Sequence, residues 1–122
     1  MKYVFAGDRD IAVWVLTHLV NSGYYPDMLL LTELEKGSHC KELIEISNLS
    51  TNLIFYGNSI NSEGCIEKLR EIKPDYIIGI HFPYLIRKDL LAIPKIGFVN
   101  LHPAFLLRLN LNSRDHLLIL FY

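Results

Sequence analysis

The stretch Gly97-Phe98-Val99-Asn100-Leu101-His102-Pro103 begins as an apolar run and ends in an amide, an imidazole and a proline. Its apolar part suits a buried strand, and its polar end falls where that strand would leave the sheet. An amide and an imidazole beside a proline turn are what a site that polarises a carbonyl requires. The bland alternative is that Asn100 caps a turn and His102 is an ordinary strand-end polar residue.

Four upstream runs share the apolar character: Tyr3-Val4-Phe5-Ala6, closed by Gly7; Met28-Leu29-Leu30-Leu31; Leu53-Ile54-Phe55-Tyr56; and Tyr76-Ile77-Ile78-Gly79-Ile80. Stretches of helical period separate them. Ile11, Val15 and Leu19 form one stripe with Trp14 on its flank, Asp8 or Asp10 can take the amide hydrogens of the first turn, and Gly23 suits a left-handed end. Ser38 can cap a second helix whose inner face is Cys40, Leu43, Ile44 and Ser47. A third starts near Asn61, buries Ile66, Leu69 and Ile72, and stops before Lys73-Pro74-Asp75. A short fourth helix around Arg87, Asp89 and Leu91 is cut off by Pro94, leaving Phe98-Val99-Asn100-Leu101 as the fifth strand.

Five strands without polar alternation, joined by helix-length crossovers, predict an α/β fold: an open, mostly parallel sheet with helices on both faces. Right-handed crossovers bring every strand's carboxyl end to one edge, where ligands of such sheets bind near the reversal of strand order. Three polar stretches fall there: Gly7-Asp8-Arg9-Asp10, His81-Phe82-Pro83-Tyr84, and Asn100 with His102.

The first stretch has too few glycines for a dinucleotide fingerprint, and no Walker loop is present. The helical amides and the Arg9 guanidinium, with Asp8 and Asp10 beside them, could instead hold an anionic substrate group, or the aspartates could simply cap the helix. A phospho-receiver domain would need an aspartate at the end of the third strand, where this chain has Tyr56-Gly57-Asn58. The second stretch, continuing into Leu85-Ile86, is aromatic and apolar and, taken alone, reads more readily as a core plug than as a ligand site. His18 and His39 are expected on helix flanks, without a role.

The run Gly97-Phe98-Val99-Asn100-Leu101-His102-Pro103-Ala104-Phe105-Leu106 resembles the signature of the N10-formyltetrahydrofolate-dependent formyltransferases. That family includes enzymes acting on glycinamide ribotide, on methionyl-tRNA and on amino sugars attached to nucleotides. The resemblance extends back through the chain and stops at Leu106. It implies a Rossmann-like domain over residues 1–106 and formyl transfer from N10-formyltetrahydrofolate to a primary amine. It also implies that Asn100 donates a hydrogen bond to the tetrahedral oxyanion and that His102 assists as a second donor and proton manager. Phe82, Tyr84, Leu85 and Ile86 would line the slot for the folate's pteridine ring. The loop Phe82-Pro83-Tyr84 looks closest to the enzymes of nucleotide-linked amino sugars.

From Leu107 the chain departs from that pattern. The family has a proline, a basic residue, a glycine and a distant aspartate there; this sequence has Leu107-Arg108-Leu109-Asn110 and an apolar end, Leu117-Leu118-Ile119-Leu120-Phe121-Tyr122. Residues 107–122 are therefore expected to be an atypical tail, from a frame shift or a fragment, or a natural variant forming a sixth strand or an oligomer contact. A non-catalytic remnant that binds folate or nucleotide is the alternative function.

With 122 residues, 51% of them hydrophobic and a formal charge of -1, the chain is of one-domain size and lacks the basic surplus of a broad nucleic-acid grip. No apolar run is long enough for a bilayer, and the start turns polar too soon for a signal peptide, so a cytoplasmic protein is expected. Cys40 and Cys65 belong to no metal spacing and read as buried or semi-buried thiols in a reducing cytosol; no metal is expected.

Overall fold

A computed structural model describes residues 1–84, 86–104 and 116–121. Strands β1 (Tyr3–Gly7), β2 (Met28–Leu31), β3 (Ile54–Tyr56), β4 (Tyr76–Ile80), β5 (Gly97–Ala104) and β6 (His116–Phe121) form one sheet in the order β3-β2-β1-β4-β5-β6. The first five run parallel, while β6 pairs antiparallel with β5, Asn100 opposite Leu120 and His102 opposite Leu118. Helices α1 (Arg9–Asn21), α2 (Cys40–Ser47), α3 (Glu63–Ile72) and α4 (Lys88–Leu91) fill the crossovers. Strand order reverses between β1 and β4. Within the tail, residues 116–121 form the sixth strand; residues 107–115 and Tyr122 lie outside the described residues.

The lack of polar alternation has a direct cause. Tyr3 and Phe5 of β1 and Leu29 and Leu31 of β2 pack against Ala12 and Leu16 of α1 and Cys40 and Leu43 of α2. Their neighbours Val4, Ala6, Met28 and Leu30 pack on the other face with Cys65, Ile66 and Leu69 of α3. Both faces of β1 and β2 are dry, so both sets of alternating side chains there are apolar. Each fully buried leucine contributes on the order of 1.5–3 kcal/mol.

Several elements differ in detail from the sequence reading. The most buried positions of α1 are Ala12 and Leu16, one residue on from the expected stripe, and Ile11, Val15 and Leu19 flank them half-buried. Leu53 closes a short 3-10 turn instead of starting β3, and α3 begins at Glu63 behind Ser62, whose hydroxyl accepts the Cys65 amide at 3.3 Å. Ser38 does not cap α2; the N-cap position is His39, which makes no side-chain cap. Gly23 does adopt the left-handed conformation, at φ 92°.

A Pro-Asp pair precedes each strand flanking β1. Asp27 Oδ2 accepts the Tyr3 amide at 3.0 Å, and the Asp27 amide donates to the Tyr3 carbonyl at 2.9 Å. Asp75 repeats this one residue earlier: its Oδ2 accepts the Lys2 amide at 2.9 Å, and its amide donates to the Lys2 carbonyl at 2.8 Å. The proline sets the turn, and the carboxylate closes the ladder where a strand end would leave an amide to water.

At the other end of β1, Gly7 is confined. A Cβ there would lie 2.9 Å from Ala12 Cβ, 3.0 Å from Phe5 Cε1 and 3.2 Å from the Ile80 carbonyl oxygen. Gly7→Ala is expected to lower stability by about 1–3 kcal/mol through overpacking, read as a lower urea midpoint at unchanged slope.

Both cysteines are buried and free, as expected. Burial pushes the Cys65 thiol up to about 12. It also raises the Tyr3 phenol, with the Asp27 charge adding to the effect. Both groups stay neutral in the folded chain where the unfolded chain ionises. Stability from Cys65 is therefore whole below the free thiol's value of about 8.5 and declines as pH rises from there. Urea midpoints at pH 7, 9 and 11 are expected to fall in that order, with a smaller drop in Cys65→Ala.

Candidate functional site

Parallel pairing puts the carboxyl ends of β1, β2 and β4 side by side, and a cleft of about 280 Å³ opens over them. Asp8 and Arg9 line it from the end of β1, Thr32 and Lys36 from the loop after β2, and His81, Pro83 and Tyr84 from the loop after β4. It sits at the reversal of strand order, where an open α/β sheet parts its crossovers to opposite faces.

Two of its residues hold unusual backbone. Arg9 has φ 73° and His81 φ 51°, the left-handed region. The other non-glycine residues with positive φ, Asn48 and Lys73, are helix C-caps, where that conformation is ordinary. Arg9 and His81 instead follow adjacent strands and flank one cleft. Such strain costs about 1–3 kcal/mol per residue and gathers at ligand sites.

Asp8 is only 6% exposed and does not cap α1 with its side chain. Its Oδ1 accepts the Ser38 amide at 3.1 Å and lies 3.4 Å from the His39 amide and 3.5 Å from Ser38 Oγ, so the carboxylate fixes the start of α2. Asp10 is the one that serves the first turn of α1, its Oδ1 accepting the Ile11 amide at 2.8 Å. Arg9 is exposed and forms no ion pair among the described residues, while Lys36 lies 3.5 Å from Glu33 Oε2.

The aromatic loop divides its residues. Phe82 is 7% exposed and belongs to the core, tilted against Tyr84 at 5.5 Å between ring centres. Tyr84 lines the cleft, its hydroxyl 3.5 Å from the Glu33 amide, and Ile86 packs, half-buried, against the core cluster that contains Phe82. Leu85 lies outside the described residues. Asn100 stands opposite Gly79 in the β4–β5 register, and its Oδ1 comes within 3.0 Å of where a Gly79 Cβ would be. The absent side chain at Gly79 gives the amide its room. His102 follows two residues on in β5, with its side chain outside the described ones. The His81 amide donates to the Leu101 carbonyl at 3.0 Å, fastening the β4 exit to the strand that carries Asn100 and His102.

Asp8, Arg9 and Tyr84 thus share one cleft, and Asn100 is one strand away from its β4 wall. Asp10 faces a neighbouring depression with Ile11 and Trp14. The sequence reading omitted Thr32 and Lys36. The signal for them was present, since they follow the second strand and its exit must share the edge of the first and fourth. Among the described residues no group of three His, Cys, Asp or Glu side chains could hold a metal, and no helix is long and apolar enough to cross a membrane.

Comparison with known proteins adds a relationship to this geometry. The methionyl-tRNA formyltransferase of Clostridium beijerinckii is 32% identical over 111 residues, covering 87% of this chain and 36% of the relative. That of Methylacidiphilum infernorum is 30% identical over 112 residues, and that of Ehrlichia ruminantium (strain Gardel) 23% over 114. By sequence, the chain is homologous to formyltransferases. It spans 36% of the length of the first of these formyltransferases, 35% of the second and 38% of the third, and 87–88% of it is matched. No family model matches it.

Replacing Asp8 separates its structural tie from its place in the cleft. Asp8→Ala is expected to cost about 1–3 kcal/mol, because the Ser38 amide loses a charged acceptor. Hydrogen exchange at Ser38 and His39 should quicken, with β1 and β4 amides unaffected relative to global unfolding.

Proposed function

We propose that residues 1–106 are a formyltransferase domain, and that the protein moves a formyl group from N10-formyltetrahydrofolate to a primary amine. The observation that carries this reading is the homology with formyltransferases, together with Asn100 on the strand fastened to the β4 exit loop. In this reaction the amine nitrogen bonds to the formyl carbon, the carbonyl oxygen gains negative charge, and the bond to N10 of the folate then breaks. The Asn100 amide donates to that oxygen; His102 takes the amine's proton and returns one to N10. A preorganised donor of this kind is worth about a hundred- to a thousandfold in rate.

The cleft's lining suits the donor's flat ring. Pro83 and Tyr84 offer apolar surface, and Asp8, Thr32 and His81 offer hydrogen-bonding groups beside it. Its volume of about 280 Å³ is at the low end for small-molecule sites, enough for the heterocycle and not for the whole donor.

For the acceptor, the wording of the loop Phe82-Pro83-Tyr84 and the formal charge of -1 favour a nucleotide-linked amino sugar. The names of the relatives favour methionyl-tRNA as the second reading. Incubating the protein with N10-formyltetrahydrofolate and each acceptor, and following release of tetrahydrofolate, tests both. Formylated product is expected from one of them, and Asn100→Ala should lower kcat by about a hundred- to a thousandfold with the circular dichroism spectrum unchanged. Donor binding without product from any amine would leave the binding-remnant reading in its place.

A further inference from the structure

Trp14 is the chain's single tryptophan, and it is 69% exposed on α1. An indole left in water forgoes more burial than any other side chain offers. It is held in place: the His18 ring stacks on it one helical turn later, at 6.1 Å between centres and 12° between planes. With Ile11 and Asp10 it lines a shallow, open depression of about 360 Å³. The Asp10 carboxylate is pinned at its rim by the Ile11 amide. Arg9, the next residue back, borders the cleft at the strand reversal, so one turn of α1 joins the two hollows.

We propose that this depression is a nucleobase platform: the base stacks on Trp14 and Ile11, Asp10 accepts one of its N–H groups, and Arg9 pairs with the phosphate. Three features of this surface meet that one ligand. A flat apolar face needs a flat partner; a fixed acceptor at its rim needs a donor in the partner's plane; the Arg9 guanidinium, without an ion pair among the described residues, needs an anion beyond it. The carboxylate of Asp8, the residue before Arg9, has Oδ1 occupied by the Ser38 and His39 amides. Only the assignment of this nucleotide to the formyl acceptor rests on the formyl-transfer reading; the binding itself does not.

Because Trp14 is alone, its fluorescence reads this site without mutation. Uridine diphosphate, thymidine diphosphate, uridine, inorganic phosphate and a short RNA ending in CCA are titrated in turn against the protein. Saturable quenching by a nucleoside diphosphate or by the RNA is expected, stronger than by uridine, with none from phosphate alone. The free diphosphate acting alone identifies a sugar-nucleotide acceptor, and the RNA acting alone a tRNA. Trp14→Ala, followed by calorimetry, should weaken binding about five- to a hundredfold. Arg9→Gln should weaken the diphosphate and leave uridine unchanged. No saturable quenching by any probe, or quenching that follows protein concentration without a nucleotide, overturns the platform; the latter points to a second copy covering Trp14. Folate-donor binding measured in the same samples keeps the two readings apart. Donor binding without nucleotide binding overturns this inference alone, and nucleotide binding without donor binding overturns the formyl-transfer reading alone.

Discussion

The fold depends on β1 being satisfied on four sides. It pairs with β2 and with β4, and its two faces are covered by different helices. A strand so placed can expose neither backbone nor side chain, and Tyr3–Gly7 is buried at every position. The crossover from β1 to β2 runs through α1 on one face and the crossover from β3 into β4 through α3 on the other, so the gap between them lies above the carboxyl end of β1. The cleft is a consequence of that connectivity before any particular residue lines it.

Most of the architecture could be read from the chain because parallel sheets write plainly. Continuous apolar runs of four or five residues, punctuated by Gly7, Pro26, Gly57 and Pro74, mark strands that are dry on both faces. What the runs do not carry is the rotation of a helix on the sheet. Ala12 reads as indifferent in sequence, yet it is the residue that lets α1 approach Gly7, and this closeness shifts the buried stripe by one position. Likewise Leu53 is apolar enough for a strand, but Ser50 draws its amide into a turn at 3.0 Å. Local propensity yields to such tertiary demands.

The site was legible as a set of stretches and less so as a set of roles. Asp8 looks like a helix cap in sequence; in space its carboxylate turns to amides thirty and thirty-one residues away, a pairing that no local pattern encodes. Phe82 and Tyr84 look alike, yet the loop that follows β4 buries Phe82 in the core and leaves Tyr84 half-buried at the cleft. Gly79 gave no functional signal, although its bare Cα makes the space beside Asn100.

The Pro-Asp pairs at Asp27 and Asp75 bind the amino-terminal rim of the sheet to itself, each carboxylate locking a neighbour's register to Tyr3 or Lys2. The opposite rim carries the left-handed Arg9 and His81, the loops and the cleft. A molecule built this way is a clamp at one end and a palette at the other. Because alignment of the three central strands is secured at the far end, the loops above them are free to change in length and chemistry without any strand slipping against the next.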